Sequence, residues 1–128
     1  MTDLPTTFFD MLSVPIAVTK RVDGDLNSPI LFVNSEFTEQ FGWTLDDIPD
    51  KNSWWQHAYP EPKYQKAVAS QWELAVEDAI EEGKGFILLD VNINTKHKGV
   101  KRFRVYTEIN SLLIPGYHIV ALEPLPDE

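Results

Sequence analysis

From Tyr64 an apolar side chain recurs at every fourth residue, through Val68, Trp72 and Val76 to Ile80, with Ala75 and Ala79 filling in beside them. Residues three and four apart lie on one side of a helix, whereas a strand would send neighbours alternately to opposite faces. The spacing therefore predicts one long helix, opening after Pro60-Glu61-Pro62 and ending near Gly83. Glu77, Asp78, Glu81 and Glu82 crowd its C-terminal end, where the helix dipole disfavours anions by ~0.3–1 kcal/mol each. Packing of the stripe must outweigh that cost, so the rest of the chain has to supply a broad apolar surface.

The segments after the helix read as that surface. Phe86 to Asn94 alternates, with Ile87, Leu89, Val91 and Ile93 on one face. A polar turn at Thr95 to Gly99 leads to Phe103, Val105, Thr107 and Ile109, which share a face of the next strand. Pro115-Gly116 breaks the chain before a last strand, Tyr117 to Leu122, and Pro124 and Pro126 stop any continuation. Ahead of the helix, Ile16 to Arg21 and Ile30 to Asn34 are β-rich runs bracketing the turn formers Asp23-Gly24-Asp25 and Asn27-Ser28-Pro29. Asn34 or Ser35 can cap a short helix carrying Phe37 and Phe41, ended by Gly42. Thr44-Leu45-Asp46-Asp47 and Ser53-Trp54-Trp55-Gln56 resemble capping boxes and predict two more helical turns. Leu4 to Leu12 adds a short N-terminal amphipathic helix before Pro15. Two leading strands, a helical insert and a three-stranded meander make an α+β domain with its helices on one sheet face.

Composition closes several alternatives. The 128 residues, 43% hydrophobic and 24% charged, suit one ordinary globular domain. The longest apolar runs, such as Phe86 to Leu89 and Leu112 to Ile114, fall far short of the ~20 residues that span a bilayer. No basic region precedes Leu12, so no leader peptide is read there and the expected location is cytoplasmic, with no membrane partner. A net charge of −9 would repel a phosphate backbone, which argues against nucleic acid. The absence of cysteine removes thiolate ligands and nucleophiles. His57, His97 and His118 have no metal-ligand spacing, so no metal is expected.

The run Ile30-Leu31-Phe32-Val33-Asn34-Ser35-Glu36-Phe37, followed by Phe41-Gly42-Trp43-Thr44, resembles the signature of the PAS family. A second stretch, Trp54-Trp55, Ala58-Tyr59-Pro60, Tyr64, Val68 and Trp72, is similar to the sensory-box variant found in bacterial histidine kinases and diguanylate cyclases. The resemblance covers roughly Pro15 to Glu123, leaving 1–13 as an N-terminal capping helix and 124–128 as a tail of a single domain. It implies a five-stranded antiparallel sheet in the order 2-1-5-4-3 and a sensory or docking role in signal transduction without catalysis. PAS sensors fused to an effector usually close with an Asp-Ile/Val-Thr motif, where this chain has Leu122-Glu123-Pro124-Leu125-Pro126. The expectation is a stand-alone or N-terminal module acting in trans on a signalling protein.

The resemblance also frames the candidate sites. Haem-binding members take an axial histidine from the long helix, and covalent flavin photosensors need a cysteine on a preceding helix. The long helix has no histidine and the chain no cysteine, which argues against haem and covalent flavin, leaves non-covalent flavin open, and assigns no cofactor. Trp54, Trp55, Tyr64 and Trp72 serve either as ordinary core or as walls of a small-molecule pocket. Arg104, Tyr106 and His118 lie on strands adjacent in the implied sheet and would grip an anionic ligand if their face points inward. The basic run Lys96 to Arg104 reads as a solvated face or a steering patch. Phe8, Phe9, Met11 and Leu12 either pack on the outer sheet face or join two copies, and a homodimer through them is the expectation. Competing readings are a ligand-free dimerisation module and a small cone-shaped α+β isomerase. The latter would need a pocket-facing carboxylate such as Asp90 with a raised pKa.

Overall fold

A computed structural model describes residues 6–20, 27–110 and 114–126. The elements run α1 (Thr6–Met11), β1 (Ile16–Lys20), β2 (Ile30–Val33), α2 (Ser35–Phe41), α3 (Lys51–Ala58), α4 (Pro62–Glu82), β3 (Phe86–Asn94), β4 (Val100–Glu108) and β5 (Tyr117–Pro124). The strands form one antiparallel sheet in the order β2-β1-β5-β4-β3, as the resemblance implies. The turn formers Asp23-Gly24-Asp25 lie outside the described residues.

Period 2 sorts the strand residues onto two faces. Ala17 pairs with Val33 and Val120, Val105 with Leu89 and Leu122, and Val91 with Phe103, so these share the inner face. That face meets Phe37, Phe41, Ile48, Ala58, Tyr59 and Val68 in the main core. Ile16, Val18, Ile119 and Ala121 point the other way and form a second cluster with Phe9, Leu12, Phe32 and Ile114. Helix α1 thus covers the outer face of β2, β1 and β5.

Asn34 holds these parts together. It caps α2 by accepting from the Phe37 amide, and the same Oδ1 accepts from the Ile16 amide, while Nδ2 donates to the carbonyls of Phe9 and Val14. Asp10 Oδ1 adds a tie by accepting from the amide and hydroxyl of Ser35. At the other end of α2, Gly42 takes φ 77° and its amide reaches the Thr38 carbonyl. A Cβ here would lie 2.8 Å from Lys96 Cβ, so both conformation and space require glycine.

Three local expectations need correction. Thr44 to Asp47 closes a hydrogen-bonded turn in which Asp47 accepts from the Thr44 amide and hydroxyl, but the turn does not extend into a helix. The cap of α3 is Asp50, which accepts from the Ser53 amide at 2.8 Å, so the helix begins before the box at Ser53. In α4 the four-residue stripe does not stay on the sheet. Four residues turn a helix by roughly 400°, so the stripe drifts by roughly 40° at each step. Val68 is 2% exposed, Ile80 is 69% exposed, and Ala79 takes its place against the core.

Candidate functional site

Between the inner sheet face and helices α3 and α4 lies a cavity of about 120 Å³. The register of the sheet gives it two ends. Val91, Val105 and Leu122 line the apolar end, Ala17, Val120 and Thr107 form the next row across the sheet, and Thr19 and His118 come from the opposite end of the same strands. Thr19 is paired with His118 across β1 and β5, and its hydroxyl also reaches the His118 carbonyl at 3.4 Å. Ser28 and Lys51 also line the cavity, and the Lys51 amide donates to the Ser28 carbonyl at 2.9 Å.

The helical wall is aromatic. Trp54 packs against Phe37 and Phe41 with ring centroids 5.3 and 5.4 Å away. Trp55 stands edge-on to Tyr59 and Trp72. The Lys51 ammonium lies 5.1 Å from the Trp72 centroid and 6.0 Å from that of Trp55. Burial lowers the Lys51 pKa from its ordinary value. Burial, and to a lesser degree the neighbouring Tyr64, raises that of Tyr59, so its phenol stays neutral.

Of the sequence-derived candidates, Trp54, Trp55, Trp72 and His118 line this cavity. Tyr64 does not; its hydroxyl accepts from the Asn92 amide at 2.7 Å, satisfying a donor on edge strand β3 and bracing α4 against it. Arg104 and Tyr106 are also misplaced by the anion-grip expectation. Phe103, Val105 and Thr107 face inward, so period 2 sends Arg104 and Tyr106 to the outer face. There Arg104 makes a two-pronged pair with Asp90 at 2.8 and 3.1 Å, and Tyr106 donates to Glu123 at 2.8 Å. Hydrogen bonding to Arg104 lowers the Asp90 pKa, so this carboxylate neither faces the cavity nor is held neutral, as the isomerase reading requires.

The basic run is dispersed in the same way, with Arg102 on Asn92 and Lys96 3.9 Å from Asp47. The four residues of the N-terminal expectation also divide. Phe9 and Leu12 pack on the sheet, while Phe8 and Met11 are 56% and 76% exposed. Lys51, Thr19, Ser28 and Thr107 were missed from the sequence. The spacing of Lys51 to Trp55, one helical turn, was the available sign of a cation beside an aromatic wall. Among the described residues, no group of three side chains is arranged to hold a metal.

No family model and no curated protein matches the chain. Solved structures do. A domain of a sensory box sensor histidine kinase/response regulator from Geobacter sulfurreducens is 18% identical, with a TM-score of 0.57 over 91% of this chain and 88% of that one. The PAS domain of a protein from Colwellia psychrerythraea is 14% identical, with a TM-score of 0.63 over 93% and 92%. A Rhodobacter sphaeroides LOV protein is 13% identical, with a TM-score of 0.62 over 96% of this chain and 66% of its own. The chain spans just under two thirds of the length of the first LOV chains that it matches. At these identities the likeness is one of fold.

Proposed function

We propose that this chain, which has the PAS fold, is a sensory module of a signal-transduction system whose input is a small molecule held between the sheet and helices α3 and α4. The observation that carries this reading is the cavity of about 120 Å³ at the centre of the domain, where aromatic walls enclose space. An apolar interior ordinarily packs without such voids, and an empty one costs stability. An occupant would recover those contacts and bias the helices that wrap it, which is how binding becomes a signal. The candidate carboxylate for catalysis lies on the outer face, so the chemistry of the site supports binding.

Output is assigned to the opposite face of the sheet. Phe8 and Met11 on α1, and Phe86 and Leu88 on β3, are exposed apolar side chains there, suited to a second copy of the chain or a signalling partner in trans. Deleting residues 1–13 is expected to convert a dimer to a monomer in light scattering; an unchanged assembly would remove α1 from the interface. The input reading is tested by native mass spectrometry of freshly purified protein together with a small-fragment screen read at the indole N–H resonances of Trp55 and Trp72. A retained small molecule, or fragments that move both resonances, supports the reading. Bare protein combined with an unresponsive screen would make the cavity a packing feature.

A further inference from the structure

Resting on the cavity being a ligand site, we infer that its ligand is a small monocarboxylate with a single-ring or similarly compact apolar body, the acid group meeting Lys51 and the body lying between the Trp55–Trp72 wall and the inner sheet. Charge, polarity and size each point there. The eighteen described residues that line the cavity include Lys51 and no Asp or Glu, so in a chain of net charge −9 this lining carries a cation. No ion pair to Lys51 occurs among the described residues, and neighbouring Asp50 commits its carboxylate to the Ser53 amide. The faces of Trp72 and Trp55 attract the ammonium, and burial still holds its pKa below the ordinary lysine value. A half-buried cation in that condition gains most from an incoming anion.

Polarity supplies the orientation. Thr19, Ser28, Thr107 and His118 gather toward the polar end of the cavity, with Ser28 tied by its backbone to Lys51, while the other end is Val91, Val105 and Leu122. An amphipathic guest is therefore favoured over a polar or wholly apolar one. The volume sets the scale: an apolar cavity of ~150 Å³ takes up benzene, so about 120 Å³ suits one ring or a short branched chain.

Calorimetric titration with benzoate, benzamide and benzylamine compares an acid, a neutral amide and a cation of one shape, with the Trp55 and Trp72 indole resonances locating each. Benzoate is expected to bind about 10- to 100-fold more tightly than benzamide, the worth of a charge-assisted contact, and more tightly still than benzylamine. Lys51→Met should erase the preference for the acid while benzamide affinity stays, and Lys51→Arg should restore part of it; thermal melting verifies that both variants fold. Equal binding of acid and amide, a preference that survives Lys51→Met, or benzoate that leaves both indoles unmoved would overturn the inference while leaving the sensor reading to the fragment screen. Failure of all three probes to bind the wild-type protein would also overturn it.

Discussion

Replacing Asn34 with alanine would test how the two layers of this domain are joined. Its side chain, 0% exposed, satisfies the amides of Ile16 and Phe37 and the carbonyls of Phe9 and Val14, one each from β1, α2, α1 and the segment between α1 and β1. Loss of a helix cap alone costs ~1 kcal/mol. Each buried polar group left without a partner adds ~1–3 kcal/mol, reduced where water or relaxation reaches it. The sum, after that reduction, is about 3–5 kcal/mol from a domain stability of ~5–15 kcal/mol. At this chain length the melting temperature should fall by roughly 10–20 °C. Asn34→Asp is the sharper control, because it keeps an acceptor for both amides but turns a second oxygen toward the Phe9 and Val14 carbonyls. It is expected to be no milder than alanine. Urea unfolding followed by tryptophan fluorescence gives both values; a loss below ~1 kcal/mol for Asn34→Ala, with the denaturant slope unchanged, would refute the reasoning.

Other substitutions probe single links in the same way. Lys51 has a folded-state pKa below its unfolded value, so the unfolded chain binds more protons across that interval, and the penalty on folding is full at neutral pH and fades as pH rises toward 10.5. Lys51→Met should therefore raise the melting temperature at pH 7, with the gap to wild type narrowing by pH 10; a gap independent of pH would contradict the assignment. Gly42→Ala should destabilise by ~1 kcal/mol or more, from the left-handed backbone and the contact with Lys96, measurable by chemical denaturation. Val68→Ala should cost ~1–3 kcal/mol and Ile80→Gln less than ~0.5 kcal/mol, reversing the equality that their shared stripe suggests. Arg104→Ala and Tyr106→Phe should leave benzoate affinity within twofold, because both side chains lie on the outer face.

Much of this molecule was legible before its coordinates. Alternation in Phe86 to Asn94 and the paired face of Phe103, Val105 and Thr107 were enough to sort the residues of β3 and β4 into two faces, and that parity already separated Arg104 and Tyr106 from Phe103. Which of the two faces turns inward is set by the helices packed on the sheet, and they leave Arg104 and Tyr106 on the outer one. The misplaced start of α3 has another origin: Asp50 and Ser53 both suit a cap, and local sequence does not choose between two boxes in overlapping frames. Ile80 was assigned to the core because an apolar residue on a stripe carries no mark of where a straight helix leaves a curved sheet.

Local stereochemistry is written residue by residue, so the sequence alone determined the type and order of every strand and of helices α1, α2 and α4, the pairing parity of each strand and, through resemblance, the sheet order. Tertiary structure decided which face of the sheet closes over a cavity, that α1 covers the other face, and that Lys51 stands over Trp72 with no ion pair among the described residues. Those outcomes depend on the side from which distant segments approach one another. Nothing in the chemistry of a single segment encodes that, because the same alternating strand serves equally well with either face inward until a helix is laid on one of them.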